Sequence, residues 1–143
     1  MKVYTTLILF VHFYLIDSFR DQIVGVRGKL SCNNRLLQGA TVRLIDRNYV
    51  GPDEVLAENK TDFHGNYEVV GKGRGVFEMN VFLKLYHDCD DALIPCQRTV
   101  SLRVPSSYIT RGSFVNKYFE AGTMNMAFRY PDEQRSCTTR IYS

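Results

Sequence analysis

The sequence predicts an all-β fold, an antiparallel sandwich of seven to eight short strands, and three observations carry that prediction. Apolar side chains recur at every second position from Ile23 onward. Turn-forming residues separate the runs at regular intervals, and no segment sustains a long apolar period of 3.6 residues. The chain has 143 residues, with no internal repeat and no low-complexity tract, which suits one domain.

The N-terminus comes first. Lys2 precedes VYTTLILFVHFYLI, and Asp17 and Ser18 end that apolar run. It is shorter than the roughly twenty apolar residues that span a bilayer, and it matches the core of a secretory signal peptide. A buried N-terminal element would show polar alternation, which is missing here. The expected division is a signal peptide over 1–18, a sandwich domain over 19–136 and a polar tail over 137–143. Cleavage falls after Ser18, give or take several residues. No other apolar run is long enough to suggest a transmembrane segment.

The strands follow in order. In IVGVRGKLSC, Val24, Val26, Gly28, Leu30 and Cys32 share one face, and Arg27 and Lys29 take the other. NNRLLQG turns the chain. ATVRLID sets Val42 and Leu44 against Thr41, Arg43 and Ile45. RNYVGPDE is a loop marked by Gly51-Pro52, and the polar VLAENKT is an edge strand. In TDFHGNY, Asp62 can hold the backbone ahead of it and Gly65 can supply a positive φ. NYEVVG begins a strand, with GKGRG as a glycine-rich connection. MNVFLKLYHD places Val81, Leu83 and Leu85 opposite Phe82, Lys84 and Tyr86. QRTVSLRV repeats the pattern through Val100, Leu102 and Val104 until Pro105. PSSYITRGSF is irregular with room for one helical turn. KYFEAG and TMNMAFRY are the closing strands, with Met124, Met126 and Phe128 assigned to the core, and a polar tail follows.

Charge and cysteines narrow the function. The formal net charge of +3 is unchanged by removal of residues 1–18, and no basic stripe suggests nucleic acid. Four cysteines, Cys32, Cys89, Cys96 and Cys137, lie behind the apolar leader. An even number in that setting indicates two disulfides, and the absence of CxxC argues against a zinc ribbon or a thioredoxin-like site. Cys32 and Cys89 close strands that end at the same pole of an up-and-down sandwich. This favours Cys32–Cys89 with Cys96–Cys137, against the rival Cys89–Cys96 with Cys32–Cys137. Asn59-Lys60-Thr61 is an N-glycosylation sequon.

Taken in order, VGVRGKLSC, GATVRLID, TDFHGNY, LKLYHDCDD, PCQRTVSLRVPSSYIT and TMNMAFRYPDEQRSC resemble the nematode transthyretin-like family, over about Val24 to Cys137. VRGKLSC and KLYHDCDD are the most specific of these pieces. The resemblance implies a transthyretin-like (prealbumin-like) sandwich with immunoglobulin-like topology, secreted and extracellular. Within that family the leading expectation is a non-enzymatic carrier of a small hydrophobic or lipid ligand. The alternative is an adaptor at a cell-surface protein or an anionic phospholipid such as phosphatidylserine, and a 5-hydroxyisourate hydrolase-like enzyme is the least expected.

The densest chemistry is YHDCDDALIPC, residues 86–96. Distant relatives of the transthyretin fold hydrolyse 5-hydroxyisourate with histidines and an arginine and end in Tyr-Arg-Gly-Ser. This chain ends TTRIYS and, behind its leader, has only His64 and His87, so no catalytic residue is expected. Asp88, Asp90 and Asp91 lack the glycine and glutamate of a calcium loop, and secretion disfavours the thiolates that zinc would need at Cys89. No metal or cofactor is expected, and the stretch reads as a stapled, hydrated turn. The expected binding face is the outer side of a sheet, with Arg27, Lys29, Phe82, Lys84 and Tyr86. A homo-oligomer is left open.

Overall fold

The computed structural model describes residues 1–91 and 94–137, without the side chains of 16–19. Residues 92–93 of the dense stretch and 138–143 of the expected tail lie outside the described residues. Helix α1 (Lys2–Arg20) takes up the apolar N-terminal run. Its described side chains are all exposed, so it joins no core. Among the described residues no helix is long and apolar enough to cross a membrane.

Two sheets follow. In the first, β1 (Asp21–Cys32) is central. It pairs antiparallel with β2 (Arg35–Leu36), β5 (Asn66–Arg74) and β8 (Thr110–Arg111), and parallel with β9 (Phe119–Asn125). The second runs β10 (Gln134–Ser136), β7 (Gln97–Arg103), β6 (Val81–His87), β3 (Thr41–Asp46), β4 (Glu54–Lys60), antiparallel throughout. The inward residues of β1, β3, β5, β6 and β7 close on one another through Val24, Val26, Val42, Leu44, Val69, Leu83, Leu85 and Val100. Each such side chain contributes about 1.5–3 kcal/mol relative to exposure.

The ten strands among the described residues exceed the expected seven to eight because β2, β8 and β10 have only two or three residues, too few to leave a period. Two strand boundaries also differ. GKGRG is not a connection: β5 continues to Arg74. Its glycines admit neighbouring side chains, for a Cβ on Gly73 would fall 2.3 Å from Met79 Sδ, and one on Gly71 would fall 2.9 Å from Leu56 Cβ. KYFEAG and TMNM form the single strand β9, bulged at Gly122 (φ 74°), where its register against β1 shifts. β7 ends at the pole where β1 begins, so β9 leaves from there too and runs parallel to β1. Beyond β9 the chain turns. Met124 and Met126 enter the core, but Phe128 is 64% exposed, which corrects its core assignment.

The TDFHGNY turn forms as its residue types require. Asp62 Oδ1 accepts the backbone N–H groups of His64 and Asn66, each at 2.9 Å. Gly65 has φ 74°, and a Cβ there would fall 2.2 Å from the Leu30 carbonyl oxygen. β4 is an edge strand, with β3 as its partner.

Candidate functional site

The sandwich has two poles, and its polar chemistry is divided between them. At the first, where β1 ends, Cys32 is bonded to Cys89 and Cys96 to Cys137. These bonds tie the end of β1 to the end of β6, and the start of β7 to the segment beyond β10. Asn33, Asp90, Cys96 and Asp132, the non-glycine residues with positive φ among those described, all lie here. Such conformations persist only where surrounding structure holds them.

The dense stretch disperses into this framework. Asp88 Oδ2 accepts from Gln97 Nε2 at 3.2 Å, and Asp90 Oδ2 accepts from Asn33 Nδ2 at 3.0 Å. Buried Asp91 takes a two-pronged bond from Arg135, at 2.6 and 2.8 Å. The Arg135 guanidinium holds the Asp91 carboxyl below the usual carboxylate range. Three acidic groups with three separate partners do not converge on an ion. Cys32, Cys89 and Asp90 come close enough together to hold a metal ion, but the two sulfurs are bonded to each other and offer no thiolate.

Behind them lies the residue that holds the pole. Arg98 is 1% exposed, and its side chain fans out over the chain's return. Nη1 donates to the carbonyls of Cys89 and Met126, both at 2.8 Å, and Nη2 to that of Phe128 at 2.9 Å. Nε and Nη2 both engage the Glu133 carboxylate, whose protonation is pushed down by the Arg98 bond. A buried guanidinium is tolerated only with this degree of satisfaction.

His87 is also buried. Its Nδ1 accepts the Cys89 N–H at 3.1 Å, so the neutral ring carries its proton on Nε2. Burial, reinforced by the Arg98 cation, pushes its pKa down to about 4. His64 is exposed in its turn. Neither ring forms a hydrogen bond to another histidine or to a carboxylate among the described residues, so no acid–base pair is assembled at either.

The expected binding face is not one surface. Arg27 and Lys29 lie on the outer side of the first sheet and Phe82, Lys84 and Tyr86 on the outer side of the second, and a sandwich turns these sides in opposite directions. The aromatic patch is also covered. The Arg47 guanidinium stands 4.1 Å from the Phe82 ring and that of Arg43 stands 5.0 Å from the Tyr86 ring, while Tyr86 is 6% exposed. On the first sheet, Tyr118 lies over Gly25, where a Cβ would come within 2.6 Å of its ring, and Arg27 stacks on that ring at 3.6 Å.

The opposite pole, where β1 begins, is built differently. Its loops are joined through backbone groups. Arg47 N–H donates to Asn80 O at 2.9 Å, and Asn80 N–H to Asp46 Oδ1 at 2.9 Å. Arg111 donates to the carbonyls of Gly75 and Val76 at 2.9 and 2.8 Å. The buried Gln22 amide donates to Phe77 O at 2.8 Å and accepts from Met79 N–H at 3.0 Å. On these pinned loops Tyr49, Val50, Val76, Phe77 and Phe114 stand out from the protein, the three aromatic residues Tyr49, Phe77 and Phe114 at 90%, 88% and 86% exposure. Sequence reasoning passed over all five. The legible signal was their position beside glycine in loops: YVGP, GVFE and RGSF.

Two recesses lie on the sandwich itself. One of about 750 Å³ is lined by Arg27, Lys29, Asn59, Lys60, Glu68 and Glu120, among others. Tyr67 lies alongside, its buried hydroxyl without a partner among the described residues. The other, of about 410 Å³, lies beside the Cys32–Cys89 bond with Arg35, Asp88 and Asp90 in its wall. Both linings mix charged and polar side chains with apolar surface.

These features define a class: a small β-sandwich braced by two disulfides at one pole, with no catalytic or metal centre assembled among its described residues. The chain belongs to the Transthyretin-like family, whose model (TTR-52) matches residues 27–105. It is similar to Transthyretin-like protein 5 of Caenorhabditis elegans, 36% identical over 138 residues, covering 96% of this chain and 99% of that protein. Transthyretin-like protein 33 of the same organism is 38% identical over 121 residues, covering 83% and 84%, and Transthyretin-like protein 2 is 35% identical over 124 residues, covering 82% and 84%.

Proposed function

We propose that this protein is secreted, non-enzymatic, and acts as an extracellular adaptor that meets a cell surface with the loops of its β1-entry pole. One observation carries this reading: five large apolar side chains stand in solvent on loops that hydrogen bonds from the Gln22 and Arg111 side chains to backbone carbonyls help hold in place. Exposed apolar clusters mark contact sites, and pinned loops limit the ordering cost of binding. The carrier reading suggested by the sequence has less support. A small apolar ligand favours a concave apolar pocket, whereas the two recesses described above carry charged side chains in their walls and the space between the sheets is filled by side chains. Secretion is supported by the apolar, exposed α1 and by the two disulfides.

Two experiments test the reading. Full-length chain made in a eukaryotic secretory cell should appear in the medium with its N-terminus within several residues of Ser18. The secreted protein should then bind phosphatidylserine-containing vesicles or the surface of intact cells. It should lose most of that binding on combined Tyr49→Ser, Phe77→Ser and Phe114→Ser substitution. Retention in the cell counts against secretion. Undiminished binding by the triple variant counts against the loops, and binding of a fatty acid by the purified protein with no surface binding would restore the carrier.

A further inference from the structure

The sequon Asn59-Lys60-Thr61 lies in an unusual place. Asn59 is an exposed residue of β4, the outer strand of the second sheet, and its Nδ2 donates to the Glu68 carbonyl of β5 at 2.8 Å. β5 has β1 as its strand partner. Asn59 therefore bridges the open edges of both sheets on one flank of the sandwich. The recess of about 750 Å³ opens at the same spot, and Asn59 is part of its wall with Lys29, Lys60 and Thr123. Neither lysine makes an ion pair among the described residues. Thr61, the third sequon residue, is buried. Its hydroxyl donates to Leu37 O at 2.6 Å and accepts from Ala40 N–H at 2.9 Å, so it is accessible for recognition only before folding.

From this geometry we infer that Asn59 carries an N-linked oligosaccharide whose first sugars rest against that recess and cover both sheet edges. The donor is an oligosaccharide carried on a polyprenyl diphosphate. The Asn59 amide nitrogen forms a bond to the anomeric carbon as the bond from that carbon to the diphosphate oxygen breaks. The diphosphate leaves with the electron pair and the amide gives up one proton. One N–H remains on Nδ2, sufficient for the bond to Glu68 that holds the root of the glycan. Sugar hydroxyls then find charged and amide partners in the recess wall. A free strand edge offers unpaired backbone groups to another chain, and here a single attachment covers two. The entry-pole loops lie at the far end of β4 from Asn59, so the glycan leaves them free.

The inference rests on the secretion proposed above, and its test separates the two. The full chain is produced in a eukaryotic secretory cell, and the medium is analysed by intact mass before and after peptide glycoamidase. The expected result is an added oligosaccharide mass that the enzyme removes, leaving aspartate at position 59, and that Asn59→Gln abolishes. Amide hydrogen exchange on β4 and the start of β5 is expected to be severalfold slower in the glycosylated protein than in the same chain made without the oligosaccharide, which keeps asparagine at position 59. Secreted protein unmodified at Asn59 overturns the inference and leaves secretion intact. A glycan that leaves exchange on both strands unchanged overturns the seating. A chain kept unmodified inside the cell overturns secretion and the glycan together.

Discussion

The disulfide pole and the entry pole are made from the same strands, and both expose apolar side chains, Phe63 and Phe128 at the first, yet they fix their loops in different ways. At the disulfide pole charged side chains are paired, buried Arg98 with Glu133 and buried Asp91 with the exposed Arg135, and neutral His87 is buried as well. At the entry pole apolar side chains are exposed, and the fixing is done by backbone carbonyls and by the polar groups of Gln22, Asn80 and Arg111. The first arrangement gives stability and rigidity at the cost of desolvating charges. The second gives up the hydrophobic gain of five side chains while keeping their loops in place. Under the proposed function, one pole holds the molecule together and the other is kept available for contact.

The contrast breaks most sharply at Arg98. Arg98→Met strands the Glu133 carboxylate in a largely buried setting and leaves three carbonyls without their donor, so a loss of about 3–5 kcal/mol is expected. Thermal or urea unfolding measures it directly. Replacing Cys32 and Cys89 by Ala together should cost somewhat less, about 2–4 kcal/mol, because it frees a long loop in the unfolded chain. The same assay reads it, with Arg111→Met at the other pole as the weak control.

pH sharpens the comparison further. His87 has a folded pKa pushed down to about 4 against an ordinary value near 6.5. The unfolded chain therefore takes up this proton first on acidification. The contribution is fully present above about pH 6.5 and is lost progressively as pH falls toward 4. At most about 3 kcal/mol is at stake. Asp91 and Glu133, whose carboxyls are held down by Arg135 and Arg98, extend the loss below the usual carboxylate range. His87→Gln, which keeps an acceptor for the Cys89 N–H and does not titrate, should flatten the stability profile between pH 6.5 and 4. A profile that still falls with wild-type slope in that window would assign the acid sensitivity to other groups.

The smallest expected stability effect is at the entry pole. Surface substitutions that remove no packing usually change stability by less than about 0.5 kcal/mol, so Tyr49→Ser, Phe77→Ser and Phe114→Ser should leave the melting temperature almost unmoved.

Much of the sandwich was legible because period two is a direct print of a half-buried strand. Val42 and Leu44, Val81 to Leu85, and the Asp62–Gly65 turn all sit where alternation and turn chemistry put them. The buried charges were less legible, although the same alternation reaches them. His87 continues the inward series 81, 83, 85, and Arg98 begins the inward series 100, 102, 104. An arginine at the end of such a series reads as solvent-facing, since its partners, Glu133 and the carbonyls of 89, 126 and 128, lie far away in sequence. The parallel placement of β9 and the pairing of β10 depend on the path between poles, which local pattern does not encode. The expected binding face failed for a similar reason. Alternation says that two residues point outward, but not that Arg27 and Phe82 point outward from opposite sheets.

The most direct measurement sets stability against binding in one protein. The secreted wild type and the Tyr49→Ser, Phe77→Ser, Phe114→Ser variant are compared by thermal unfolding and by binding to phosphatidylserine vesicles and to intact cells. The expected result is matching melting curves, wild-type binding to at least one of these surfaces, and loss of most of that binding in the variant. A wild type that binds neither surface, or a variant that binds as well as the wild type, would contradict the division of the molecule into a holding pole and a contact pole.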